Sequence, residues 1–140
     1  MKYTKILFST IAIALFPFVL AANDTSIYRD SHGRMLGSET QSNGTKVYRD
    51  AQGRTVGTEV TSGNITYCRD AQGRTIGTKT VQGNQVYYRD AQGRITRTET
   101  INGTTSTIRD AHGRTIGTKT QDSSGTTLRD AHGRTIGTKR

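Results

Sequence analysis

The sequence predicts an all-β protein in which tandem β-hairpins form an antiparallel meander. Three observations lead to this fold class. A period of 20 residues runs six times from residue 21 to residue 140 without insertion or deletion, glycines stand at fixed positions of the period, and each unit holds two turn-forming segments. A strict period with fixed glycines is typical of arrays in which each unit contacts its neighbours. Residue 21 is position 1 of the first unit.

Residues 1–22 differ from the repeats and predict a secretory signal peptide. Lys2 and Lys5 give a positive beginning, residues 6–20 are almost entirely apolar, and Ala21 and Ala22 suit a cleavage site. The apolar stretch is short for a membrane-spanning helix, which takes about 20 residues. We therefore expect residues 23–140 to form one six-unit repeat domain, secreted or at the cell surface (periplasmic or extracellular), with no transmembrane segment after cleavage.

An invariant Asp-x-x-Gly-Arg segment predicts the first turn of each unit. Asp favours the first place of a type I turn and Gly the fourth, and a left-handed Gly completes a three-residue hairpin loop with a bulge. In the second unit this register places Asp50 opposite Arg54, Arg49 opposite Thr55 and Tyr48 opposite Val56. The residues of this segment, which we predict to be structural, are Asp30, Gly33, Arg34, Asp50, Gly53, Arg54, Asp70, Gly73, Arg74, Asp90, Gly93, Arg94, Asp110, Gly113, Arg114, Asp130, Gly133 and Arg134.

The second turn varies in sequence, with Asn-Gly or Gly-Asn in several units, and both dipeptides are hairpin signals. A two-residue loop here would send Leu36 and Val56 to opposite faces of the sheet. We therefore expect three-residue loops at both ends of the unit. The largely apolar positions 8 and 16 then share one face with position 18. Position 9, which is always Arg, shares the other face with positions 15, 17 and 19. The fourth unit departs from this pattern, because Arg97 replaces the usual Gly, and Ile95 and Thr96 exchange the usual polar and apolar places.

A β-solenoid is the alternative architecture. It would stack equivalent residues about 4.8 Å apart, whereas a meander separates them by two strand spacings, about 9.6 Å. Like charges stacked at that shorter distance repel by about 1 kcal/mol per pair even in water, so the invariant Arg and Asp favour the meander. Few apolar residues remain for a core. A lone flat sheet would therefore need to curl on itself, pack against a partner, or grow through its edge strands.

The Asp-x-x-Gly-Arg element, with an upstream Tyr and a second Gly-containing turn every 20 residues, resembles the YD repeats of bacterial Rhs-type and teneurin proteins. The resemblance covers nearly all of the repeat region, although Arg49 stands between Tyr48 and Asp50, where that family has Tyr directly before Asp. It implies a secreted or surface-exposed array of β-hairpins, sometimes a shell and sometimes a carbohydrate binder. It also implies structural roles for Tyr48, Asp50, Gly53 and Arg54 and for their equivalents.

Two functions fit these features. The first is a secreted or cell-surface structural or adhesion protein that self-associates through its array. The second is a binding module for an anionic polymer, a glycan or nucleic acid, because regularly spaced guanidinium groups suit sulfate and phosphate. The candidate binding residues for this second function are the position-9 arginines Arg29, Arg49, Arg69, Arg89, Arg109 and Arg129.

Enzyme activity and cofactors are not expected. A near-identical sixfold array offers no single asymmetric pocket, and no nucleophile–base–acid set stands out in the sequence. The three histidines, all at position 12, are interpreted as exposed turn residues and not as metal ligands, because Gln fills that position in the other units. Cys68 replaces Tyr, Ile or Leu at position 8, and we expect it to be a small buried side chain.

Overall fold

The computed structural model describes residues 24–140, and the predicted signal peptide lies outside these described residues. The described chain forms twelve strands joined by short turns. No helix within it is long and apolar enough to cross a membrane. The strands are β1 (Asp24–Asp30), β2 (Met35–Ser42), β3 (Thr45–Asp50), β4 (Thr55–Ser62), β5 (Ile65–Asp70), β6 (Thr75–Gln82), β7 (Gln85–Asp90), β8 (Ile95–Asn102), β9 (Thr105–Asp110), β10 (Thr115–Asp122), β11 (Gly125–Asp130) and β12 (Thr135–Lys139).

The strands form an antiparallel meander in which each pairs with its neighbours in the chain, and β1 pairs with β12 to close a barrel. The all-β meander is therefore confirmed, and the solenoid alternative is wrong. Closure pairs both terminal strands, so the sheet of the described residues has no open edge strand. Of the three ways in which a thin sheet could be stabilised, the chain curls on itself.

The Asp-x-x-Gly-Arg segment forms the three-residue loop that the sequence predicts. In the second unit the Gly53 N–H donates to the Asp50 carbonyl at 3.0 Å, and the Asp50 N–H donates to the Arg54 carbonyl at 2.9 Å. Gly53 has a φ of +79°, in the left-handed region that glycine adopts without strain. The same pair of bonds recurs in all six units, so this end of the barrel, the Asp-turn end, consists of six copies of one turn.

The second turn differs from the prediction, because it is a two-residue loop. Ser42 pairs with Thr45 and leaves only Asn43 and Gly44 in the loop. Both have positive φ, +47° and +76°, as a type I′ hairpin turn requires. The next three turns have a positive φ at a first-placed Gly, namely Gly63, Gly83 and Gly103. These second turns form the opposite end of the barrel, the variable-turn end.

A bulge at position 16 keeps the faces consistent despite the two-residue loops. Arg49 lies opposite Thr55 as expected, but Tyr48 lies opposite Gly57, so Val56 is the extra residue of the bulge. A bulge adds one residue to one strand, and this addition offsets the change of face that a two-residue loop would cause. The shift recurs in all six hairpins at the Asp-turn end.

The bulge reverses which residues face inward. Position 8 faces the barrel interior together with positions 17 and 19, because Tyr48 pairs with Glu39 on one side and Gly57 on the other. The predicted shared face of positions 8, 16 and 18 is therefore wrong, as is the predicted shared face of positions 9, 17 and 19. Positions 9, 16 and 18 lie on the outer wall. Several position-16 aliphatic side chains stay exposed there, Ile116 at 45 %.

Candidate functional site: an arginine ring on the outer wall

The position-14 arginines are held by the aspartates of their own turns. The Arg54 Nε donates to Asp50 Oδ2 at 2.8 Å, while the backbone N–H groups of Gln52 and Arg54 donate to Oδ1. Desolvation raises the pKa of the Asp50 carboxyl, but the hydrogen bonds from Arg54 and Gln52 outweigh it and lower the pKa below its ordinary value. Each of the six turns contains this Asp–Arg ion pair.

The position-9 arginines have no carboxylate partner among the described residues. They lie on the outer wall, where the Nη1 atoms of Arg49 and Arg109 contact the Thr40 and Thr100 hydroxyls at 3.4 and 3.3 Å. Arg29 donates to the Gly33 carbonyl instead, and the Arg89 guanidinium lies 5.6 Å from the centroid of the Tyr87 ring. These six side chains stand on alternate strands, about 9.6 Å apart along the wall. We call them the arginine ring: Arg29, Arg49, Arg69, Arg89, Arg109 and Arg129.

The two ends of the barrel differ in charge. The Asp-turn end carries the arginines of positions 9 and 14 and the aspartates of position 10, twelve cations and six anions. On the outer surface of the variable-turn end the described charged residues are Asp24, Asp122 and Arg140. Because each position-10 aspartate is engaged by an Arg of its own turn, the six charges of the arginine ring remain uncompensated on this surface.

The interior holds a second set of charged residues, at position 19, which the sequence pattern predicted to lie outside. Three ion pairs join residues at this position, and a fourth joins Lys46, at position 6, to Glu39 Oε1 at 3.6 Å. Lys79 Nζ lies 3.2 Å from Glu59 Oε2, Lys119 Nζ lies 2.5 Å from Glu99 Oε1, and Lys139 Nζ lies 2.6 Å from Glu39 Oε1. Around the barrel the order of position 19 is Glu, Glu, Lys, Glu, Lys, Lys, so closure brings the last lysine against the first glutamate. Equal numbers of Glu and Lys at one position were the sequence signal for this arrangement.

Buried tyrosines add hydrogen bonds to these carboxylates. The Tyr28 hydroxyl donates to Glu39, and the Tyr88 hydroxyl donates to Glu99 at 3.0 Å. Burial, reinforced by the negative charge of Glu39, raises the pKa of Tyr28 far above its ordinary value. Burial also lowers the pKa of Lys119, against the opposing attraction of Glu99. Glu39 and Glu99 therefore each contact both a tyrosine hydroxyl and a lysine in the interior.

Two residues interrupt the interior pattern. Arg97 replaces a glycine, and its guanidinium stacks 3.9 Å from the centroid of the Tyr88 ring. By contrast, a side chain at Gly37 would place its Cβ 2.3 Å from the Arg49 carbonyl oxygen.

Cys68 is partly buried, and its thiol lies 3.8 Å from Glu59 Oε1. Burial, together with the negative charge of Glu59, raises the pKa of the Cys68 thiol to about 12, so the unreactive thiol form prevails at neutral pH.

The described residues contain no group of three or more His, Cys, Asp or Glu side chains that could hold a metal ion. In the arginine ring, side chains far apart in sequence lie at equal intervals around one end of the barrel. No family model, curated protein or solved structure matches this chain.

Proposed function

We propose that this is a secreted or cell-surface protein that binds an anionic polymer, a sulfated or phosphorylated glycan in the first instance, through the arginine ring. One observation carries the proposal: the six position-9 guanidinium groups have no carboxylate partner within residues 24–140, whereas the position-14 guanidinium groups beside them are all paired. Unpaired guanidinium groups can form strong bidentate hydrogen bonds with sulfate and phosphate oxygens.

The repeat adds avidity to this chemistry. A single exposed guanidinium contact is weak, but several contacts made by one polymer chain act together and strengthen binding by orders of magnitude. The neighbouring Thr40 and Thr100 hydroxyls, already within about 3.4 Å of arginines of the ring, supply further donors to an anionic group. Binding to a polymer displayed on another cell or on a matrix would make the protein an adhesin.

The experiment measures binding to heparin as the probe, with duplex DNA for comparison, over a series of salt concentrations. The variant Arg49→Gln/Arg109→Gln/Arg129→Gln should bind heparin roughly tenfold more weakly or worse at low salt. For DNA the slope of log affinity against log salt should become shallower, by up to about 0.9 for each phosphate group that the variant no longer binds.

A matched control removes the same net charge at the variable-turn end: Ser42→Glu/Ser62→Glu/Gln82→Glu, at three exposed positions. This control should keep most of the heparin affinity. An equal loss in both triple variants would show that net charge alone drives binding. Wild-type protein that is not retained by heparin at low salt would refute the proposal.

Self-association, the other function that the sequence predicts, has a different structural basis and concerns the two terminal strands.

A further inference from the structure

The β1–β12 seam differs from every other strand pair because no turn connects its two strands. Tyr28 lies opposite Lys139, Arg29 opposite Thr138 and Asp30 opposite Gly137. Ile27 and Arg140 exchange both of their backbone hydrogen bonds, at 2.6 and 3.1 Å. The backbone contacts of the seam are therefore fewer than those of the strand pairs that a turn connects.

The seam repeats the pairing found between consecutive units. In the β2–β3 pair, Glu39 lies opposite Tyr48, Ser38 opposite Arg49 and Gly37 opposite Asp50. The seam pairs the same repeat positions, because position 19 lies opposite position 8, position 18 opposite position 9 and position 17 opposite position 10 in both places. Strand β12 therefore matches β1 in the same register in which β2 matches β3, although no turn connects β12 to β1.

The interior charges have the same property. Two of the ion pairs, Glu59–Lys79 and Glu99–Lys119, form between adjacent units along the chain. The third pair joins Lys139 to Glu39 across the seam. An opened barrel would leave Lys139 on the edge strand β12 without a carboxylate, and would leave Glu39 on β2, one strand in from the other edge, with Lys46 at 3.6 Å. The matching end of another molecule could then pair with Lys139 again.

We propose that the seam is an exchangeable interface, in which β12 of one molecule pairs with β1 of a second copy of the chain, in the register and with the ion pair of the closed barrel. The partner is therefore a second copy of this chain. The contact is head-to-tail, so it generates larger rings or open filaments. The proposal is independent of the arginine ring.

At low protein concentration, closure of the seam within one chain is favoured over pairing between two chains, because the linked strands meet at an effective concentration in the millimolar range. Exchange therefore needs conditions that open the seam, such as refolding from denaturant at high protein concentration. Under these conditions the ends of two chains meet before each barrel has closed. The same mechanism would give a surface protein a route to assembly without a permanently exposed edge strand.

An engineered disulfide bond across the seam, which can be reduced again, tests the proposal. Ile27→Cys/Arg140→Cys, in a Cys68→Ser background, places two thiols at a hydrogen-bonded strand pair, whose Cα atoms lie about 5.5 Å apart, within the range of a disulfide. The variant is held either oxidised or reduced, partly unfolded, and returned to native buffer at increasing protein concentrations. Sedimentation velocity then gives the distribution of masses.

The reduced form should yield multiples of the chain mass, in a share that rises with protein concentration, while the oxidised form stays monomeric. A reduced form that is monomeric at every concentration would refute the proposal. Equal shares of multiples in the oxidised and reduced forms would also refute it, because association would then use another surface.

A charge exchange tests the register. Lys139→Glu places like charges at the seam of its own barrel, and so does Glu39→Lys, but a mixture of the two chains can form seams in which position 139 of one chain meets an opposite charge at position 39 of the other. Refolding the two variants together should give 1:1 complexes well above the level of oligomers formed by either alone. A mixture that behaves as the sum of its separate components would contradict the proposed pairing.

Discussion

Two sets of ion pairs within one barrel have opposite surroundings. The six Asp–Arg pairs of the turns are in water, and the Arg54 side chain is 75 % exposed. The Glu59–Lys79 pair lies in the interior, where both side chains are 2 % exposed. The two sets also differ in arrangement, because each turn pair lies within one unit, whereas each interior pair joins two units.

The comparison separates two roles for charge. An exposed pair contributes little to stability through charge attraction, typically about 0–1 kcal/mol. The invariant aspartate is explained better by the hydrogen bonds that it accepts from two backbone N–H groups of its turn. A buried pair contributes little net stability either, because dehydration offsets the attraction. Removal of one partner is strongly destabilising, because it leaves a buried charge unpaired. The interior pairs therefore favour the strand pairing in which opposite charges meet.

Acid should have the largest effect, because it reaches both sets at once. The pKa of Asp50 lies below its ordinary value of 3.8, and that of Glu39 below 4.5 despite burial, because Lys46 and Lys139 are close. A carboxyl with a lower pKa in the folded state stabilises the fold above its unfolded pKa and loses this contribution as the pH falls through its folded pKa. Urea unfolding at a series of pH values should show stability falling as the pH drops from about 5 through the ordinary values of 4.5 and 3.8 and continuing to fall below them. A flat profile would contradict these shifts.

Removal of one interior partner should have the next largest effect. Lys79→Met leaves Glu59 buried without its cation, and we expect a loss of about 3–5 kcal/mol in the free energy of unfolding. The double variant Lys79→Met/Glu59→Met removes both charges and should recover most of that loss. Chemical denaturation measures both variants. A cost below about 1 kcal/mol for the single variant would mean that water reaches the pair.

The turn pairs should show the smallest effects, and unequal ones. Asp50→Ala removes the acceptor for two backbone N–H groups as well as the ion pair, so we expect the Tm to fall by several degrees. Arg54→Met leaves both backbone hydrogen bonds of the carboxylate in place and should lower the Tm by less than half as much. Differential scanning calorimetry compares the two variants. Equal effects would mean that the attraction between the charges, and not the turn, explains the invariant aspartate.

The sequence was sufficient for the fold class and for one turn. The period and the Asp-x-x-Gly-Arg segment predicted an antiparallel meander and the three-residue loop at Gly53, because a left-handed glycine and a turn-initiating aspartate act locally. The position-9 arginines were also recognisable as a regularly spaced set. Their function stays a proposal.

The inward face was not predictable in the same way, because it depends on a bulge with no local signature. Val56 and its equivalents have ordinary strand residues at the bulge, so the pattern suggested that they pack inward with Tyr48. In the barrel Val56 faces outward and Glu59 inward, against the usual distribution of apolar and charged residues. Pairing of opposite charges between units compensates for this inversion, and such pairing becomes visible only when the neighbouring strands are known.

The matching register of the seam has a consequence for how such a chain can change during evolution. Loss or gain of one whole unit leaves first and last strands whose backbone registers still match, whichever copy is affected, although it changes the balance of Glu and Lys in the interior. In-frame slippage of a tandem gene would therefore produce barrels of ten or fourteen strands, with the diameter rising roughly in proportion to strand number. Such steps would widen or narrow the circle of outward guanidinium groups and so change the size of the anion that it can encircle, without any point mutation.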